Sequence, residues 1–227
     1  DWGLMLGLGV TGYYLASYLD FLGLQYISAA LERLILFAYP TLVVLFSALF
    51  LGKPITRRAA GSIALCYAGI ALAVAHDLDL GGDAHEVWLG GALVFGSAVS
   101  YALYLMGNGQ AVGRLGAARV TAAASTIACV LCLVHFAATR PLGLLVQPAP
   151  VMGLAVAMAL FSTVLPVWMV SEAIRRLGAG PVSLIGTLGP VVTLFLGWLI
   201  LAEPIGVYQL VGGALVIAGV LLVGSKR

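Results

Sequence analysis

Two acids and one base lie close together in the apolar runs on either side of the turn at 25–28: Asp20, Glu32 and Arg33. Ionisable side chains in such runs mark ion pairs, gates or proton relays when the run crosses a membrane. With two acids against one base, one carboxyl lacks a partner, so Asp20, Glu32 and Arg33 are read as a gate or a proton-coupling site. Asp20 lies six to seven residues before the middle of the turn at 25–28, and Arg33 a similar distance after it. An antiparallel hairpin would put them at one depth, which predicts an Asp20–Arg33 pair. Glu32 is eight residues from Pro40, about 12 Å along a helix, against a membrane half-thickness of about 15 Å. It is therefore expected near the outer interface, where snorkelling or structural pairing is the alternative reading. Glu172, with Arg175 and Arg176 at i+3 and i+4, reads as a local ion pair.

A second constellation is a stripe. Ser97, Tyr101, Tyr104 and Asn108 stand at i, i+4, i+7 and i+11, on one face of a helix. Such a face suits a cavity that offers ring faces, hydroxyls and an amide to a solute. Tyr14 and Tyr18 form a smaller pair, and Trp168 precedes Glu172 by one turn. Mid-run prolines add broken backbone. Pro40 removes the helical partner of the Leu36 carbonyl, Pro190 that of Gly186 and Pro166 that of Ser162. Gly186, Thr187 and Gly189 reinforce the second break. The expected substrate-binding set is Tyr14, Tyr18, Tyr39, Pro40, Ser97, Tyr101, Tyr104, Asn108, Trp168, Thr187 and Pro190. Interhelical hydrogen bonds and simple proline kinks stay open as alternatives for each.

Other chemistries find no support. Gly7, Gly9 and Gly12 spell GxGxxG, but inside an apolar run with no preceding strand, so a nucleotide site is rejected. HExxH, GxSxG and Walker patterns do not occur. Cys66, Cys129 and Cys132 sit in apolar runs and are odd in number, which argues against a disulfide framework, and the CVLC spacing at 129–132 reads as packing rather than a metal site. No cofactor is expected. Nucleic acid is excluded as a partner because the basic residues are scattered rather than clustered.

The elements that must hold these groups follow from composition. Of 227 residues, 62% are hydrophobic and 9% charged, and the mean hydropathy is +1.11. Such a chain needs lipid as its partner, and lipid forces helices, because it satisfies no backbone hydrogen bonds. Apolar runs near spanning length fall at about 4–24, 29–51, 59–75, 87–112, 120–138, 151–173, 181–202 and 205–224, eight candidate spans. With the C-terminus inside, Lys53, Arg57, Arg58, Arg114, Arg119, Arg175, Arg176, Lys226 and Arg227 are all cytoplasmic, and the acidic 76–86 loop faces out.

The sequence also repeats. Adding 150 carries Pro40 onto Pro190, Pro54 onto Pro204 and Ile55 onto Ile205, and the register holds across Leu15/Leu165, Leu34/Leu184 and Gly69/Gly219. Corresponding spans then cross in opposite directions, which is the inverted-repeat plan of transporters. The expected division is a first repeat at 1–76, seen as its last three helices, an extracytoplasmic linker at 77–86 and a five-helix second repeat at 87–227. Two further spans are expected upstream, for ten in all, as two inverted five-helix repeats.

The Tyr26–Ala30 turn and small residues, the span with a central proline, and the Leu51–Thr56 segment LGKPIT resemble the EamA-type transporters of the drug/metabolite transporter superfamily. The second copy reads LAEPIG at Leu201–Gly206, followed by GALVIAGVLLV. Lys53 departs from the family's acidic residue, whereas Glu203 retains it. The resemblance implies a ten-helix carrier in the bacterial inner membrane, both ends cytoplasmic, moving small organic metabolites outward. The expected function is thus a non-enzymatic secondary transporter exporting solutes such as amino acids. The alternatives are a multidrug exporter, an intramembrane enzyme acting on lipid, or a membrane scaffold. Oligomeric state is left open, with a monomer allowed.

Overall fold

The computed structural model describes residues 2–52, 54–79, 83–166, 169, 189–201 and 206–224. Every element among them is helical: α1 (Trp2–Leu8) and α2 (Ala16–Gly23), α3 (Ala29–Leu36), α4 (Tyr39–Leu51), α5 (Arg57–Asp79), α6 (Ala84–Leu115), α7 (Ala117–Thr139), α8 (Ala149–Ala157), α9 (Gly189–Leu201) and α10 (Val207–Gly224). A π-helical segment, Gly9–Leu15, joins α1 to α2, and a second, Met158–Val164, continues α8. Among the described residues, four stretches are long and apolar enough to cross a bilayer: Ala29–Phe50, Arg57–Ala75, Ala84–Leu115 and Ala118–Thr139. Ala149–Val164 and Leu210–Leu222 are shorter apolar helices. Large apolar side chains such as Val130, Leu133 and Val134 on α7 lie exposed, as expected of a lipid-facing surface.

Local sequence sets the helix ends. The Ser28 hydroxyl caps α3 by accepting the Leu31 N–H at 3.2 Å. Asp83 does the same for α6, accepting the His85 N–H at 2.9 Å. Gly52, at φ +63°, closes α4 in the left-handed region that glycine enters without strain. Gly116, at φ +82°, is the single residue between α6 and α7. α6 runs three residues beyond the expected span at each end, because nothing breaks the helix between the Asp83 cap and Gly116.

The break expected at Pro40 is present: α3 ends at Leu36, and α4 starts at Tyr39 with Pro40 in its first turn, where its missing N–H costs nothing. The Ala38 carbonyl accepts both the Leu42 N–H at 3.1 Å and the Thr41 hydroxyl at 2.8 Å. The first span, read as one continuous helix over 4–24, instead contains the π-helical segment.

α6 is the central helix and packs on α1, the Gly9–Leu15 segment, α2, α3, α4, α5 and α7. On the other side, α5 and α10 form a tight antiparallel pair. Ser62 Oγ donates to the Gly219 carbonyl at 2.5 Å and Cys66 Sγ to that of Val216 at 3.5 Å. One turn on, a Cβ on Gly69 would come within 2.5 Å of the Gly212 carbonyl oxygen. Small residues let these backbones touch, which is how helices associate where lipid supplies no hydrophobic drive.

Candidate substrate site

An aromatic ladder starts at the break between α3 and α4 and crosses to α6 and the first span. The Phe37 ring meets Tyr39 edge-on at 5.8 Å, and Tyr39 meets Tyr101 edge-on at 5.1 Å. Tyr101 stacks on Tyr104, one turn on, at 5.7 Å. Tyr104 in turn meets Tyr13 edge-on at 5.3 Å, with their hydroxyls 3.1 Å apart. The helical spacing anticipated from sequence thus does bring Tyr101 and Tyr104 together, and it also delivers Tyr39 to them. Tyr13 had no such signal, because its partner lies 91 residues away. Asn108, one turn past Tyr104, keeps a buried carboxamide oxygen, Oδ1, without a hydrogen-bond partner.

The π-helical segment explains why the first span can approach so closely. Its wider turn displaces backbone carbonyls from their usual helical partners. Two serines of α6 tie the first span down at this segment and at the start of α2: Ser100 Oγ donates to the Thr11 carbonyl and Ser97 Oγ to that of Ala16, both at 2.8 Å. Ser97, expected to line the cavity, is therefore fully committed to helix packing. Gly12 lies against the Tyr104 ring so closely that a Cβ there would overlap it, and Gly9 lies likewise against Ile127 of α7. Two of the glycines that spelled a nucleotide motif are packing positions.

The charged cluster differs from its expected arrangement. Arg33 Nε pairs with Glu32 Oε2 at 3.2 Å, so the predicted Asp20–Arg33 pair is not formed. The Asp20 carboxyl instead faces that of Glu32. Glu32 is 1% exposed, whereas Arg33 is 43% exposed. Asp20 Oδ1 and Glu32 Oε1 are both buried without a hydrogen-bond partner. Depth along a helix fixes height but not azimuth. At about 100° per residue, Arg33 falls on the side opposite the buried Leu31, Leu34 and Ile35, while Glu32 turns inward with them.

Tyr14 and Tyr18 stack at 6.3 Å and share a partner that sequence reasoning missed. The Tyr14 hydroxyl lies 2.7 Å from His135 Nδ1 on α7, and the Tyr18 ring sits 4.9 Å from the imidazole. A lone histidine in an apolar run gives no periodic signal, although an ionisable group there was itself a flag. Pro190 lies in α9. Trp168 and Thr187 lie outside the described residues, as do Glu172, Arg175 and Arg176. Among the described residues no group of three or more His, Cys, Asp or Glu side chains gathers as a metal site.

The sequence model of the EamA-like transporter family matches residues 1–75 and 88–225. The chain belongs to the EamA-like transporter family. It is similar to two Bacillus subtilis proteins named only as uncharacterized transporters. YcbK is 31% identical over 214 residues, covering 91% of this chain and 67% of its own length. YyaM is 28% identical over 220 residues, covering 94% and 70%. A solved crystal structure aligns with 98% of this chain and 76% of its own at a TM-score of 0.63 and 21% identity, a likeness of fold. This EamA-like transporter is therefore a multi-pass membrane protein, and its aromatic ladder lies at the broken helix rather than in a soluble pocket.

Proposed function

We propose that the protein is a secondary transporter that carries small organic solutes, amino acids among them, outward across the bacterial inner membrane by alternating access. The observation that carries this reading is the junction of the broken α3–α4 helix with the Tyr39–Tyr101–Tyr104–Tyr13 ladder. Broken helices near mid-membrane are where carriers place substrate. Ring faces, hydroxyls and the open Asn108 acceptor would bind an amphipathic solute with an apolar body and a donor group. Pro40, and Thr187, Trp168 and Pro190 on the second repeat, complete the proposed cavity, with Tyr14 and Tyr18 at its outer part.

Element boundaries support two inverted repeats. α5 and α10 start 150 residues apart, at Arg57 and Val207. The counterpart of α4 (Tyr39–Leu51) 150 residues on falls within helical residues of α9. The π-helical segments, a rare feature, occupy Gly9–Leu15 and Met158–Val164, nearly the same offset. At the α5–α10 crossing, Cys66 touches Val216, its own counterpart 150 residues on. Contacts on either side pair Ser62 with Gly219 and Gly69 with Gly212, as a two-fold axis through that crossing requires. In this reading the eight spans belong to ten, with the C-terminus in the cytoplasm. The exposed apolar face of Ala149–Val164 would receive a helix equivalent to α7, as Gly9–Leu15 does.

The test is counterflow in proteoliposomes containing the complete protein, with a panel of labelled amino acids, nucleosides and cationic drugs. Saturable exchange of amino acids supports the reading, and preference for cationic drugs would instead make it a multidrug exporter. Absence of exchange for every solute would count against transport and favour a lipid enzyme or scaffold.

A further inference from the structure

We propose that Asp20 and Glu32 form a carboxyl pair that holds one exchangeable proton, and that this proton is the ion coupled to transport. The inference rests on the transporter reading and gives it a driving force. Its basis is the charge count at one buried place. Glu32 is 1% exposed and has one cationic partner, Arg33, through Oε2 at 3.2 Å. Its other oxygen, Oε1, has no hydrogen-bond partner, and neither has the buried Oδ1 of Asp20, which faces it from α2. Among the described residues, the charged groups acting on Glu32 are Arg33 from its own helix and Asp20 from α2. α5, α6, α9 and α10 also pack on α3 and contribute none.

Arg33 and the N-terminal end of α3, whose first turn contains Glu32, together compensate one negative charge. A second carboxylate at this place would have no donor and little water. Burying such a charge unpaired costs several kcal/mol, on the order of the penalty for any isolated ion in a low-dielectric interior. A single proton shared by the pair removes the excess charge and gives the partnerless oxygens a hydrogen bond. The proton is taken by a carboxylate oxygen from water on one side of the membrane and returned to water on the other, with no other bond made or broken.

The pair is also placed to act on the substrate site. Glu32 sits in the eight-residue α3, which ends at Leu36, and Tyr39 of the ladder follows the two-residue break. Glu32 and Tyr39 are thus seven residues apart, roughly 10 Å along a helical path. Gain or loss of the proton changes how strongly α3 is held to α2, and α3 can move relative to α4 because the break interrupts the helical hydrogen bonds between them. Arg33, 43% exposed, is free to leave Glu32 as this happens.

The direct test needs no substrate. Infrared difference spectra of the complete protein in lipid, recorded between neutral and alkaline pH, should contain the carbonyl stretch of one protonated carboxylic acid, shifted by deuterium exchange. Glu32→Gln and Asp20→Asn should each remove it. Absence of the band in the unsubstituted protein at neutral pH overturns the proposal, as does its persistence in both variants. In vesicles, with a solute found by counterflow, each variant should keep exchange while its pH-gradient-driven accumulation falls at least tenfold. Undiminished gradient-driven accumulation in both would also overturn it. If the unsubstituted protein shows no counterflow for any solute, the transport reading fails, and the infrared result still decides whether the pair holds a proton.

Discussion

Gly12→Ala tests the contact on which the aromatic ladder depends. The added Cβ would overlap the Tyr104 ring, so Tyr104 must leave its position between Tyr13 and Tyr101 or the first span must retreat from α6. Overpacking of this kind costs about 1–3 kcal/mol. For a chain of this size that corresponds to a fall of roughly 2–12 °C in the thermal midpoint. Gly7→Ala is the internal control, because a Cβ there meets nothing within 4 Å and the residue lies in the neighbouring helical turn. Alanine is the better helix former by about 1 kcal/mol, so the control should be neutral or slightly stabilising. The assay pairs thermal unfolding in detergent with counterflow. Gly12→Ala should lower the midpoint and raise the KM of exchange, and Gly7→Ala should do neither. Equal midpoints and equal KM values for the two variants would refute the close approach of the first span to Tyr104.

Gly69→Val should separate α5 from α10, because its nearest obstacle is the Gly212 carbonyl oxygen, which cannot rotate away; thermal unfolding should show a larger loss than for Gly61→Ala, whose Cβ meets only Leu222 Cδ2 at 3.4 Å. Ser100→Ala should cost about 0.6–1.7 kcal/mol, the range for hydrogen bonds between membrane helices, read by unfolding, since it strips the donor from the Thr11 carbonyl. A double-mutant cycle of Tyr14→Phe and His135→Leu should give a coupling energy of similar size, roughly 0.6–2 kcal/mol, because the two share a 2.7 Å hydrogen bond. Tyr101→Phe should leave exchange nearly unchanged while Tyr101→Ala raises its KM, because the ring contacts to Tyr39 and Tyr104 are what the residue supplies.

Features that depend on local chemistry were legible in the sequence. Pro40 predicted the break because a missing N–H acts within four residues, and the Tyr101–Tyr104 stack follows from helical spacing alone. Composition dictated an all-helical membrane chain. What depends on helix rotation or on distant partners was not legible. Arg33 turned away from Asp20 because Leu31, Leu34 and Ile35 claim the buried side of α3. Ser97 shared the aromatic stripe, yet it serves the Ala16 carbonyl beside a π-helical segment that has no sequence signature. Tyr13 and His135 acquire their roles only when the first span meets α6 and α7.

Alternating access at the break is the central claim, and accessibility from the two membrane faces tests it most directly. In the complete protein with Cys66, Cys129 and Cys132 replaced by serine, Tyr39→Cys would be labelled in vesicles with a membrane-impermeant maleimide supplied from one side or the other. The account predicts labelling from both sides, slowed from each by a transported solute. Labelling from one side only, unaffected by any solute that exchanges, would contradict it.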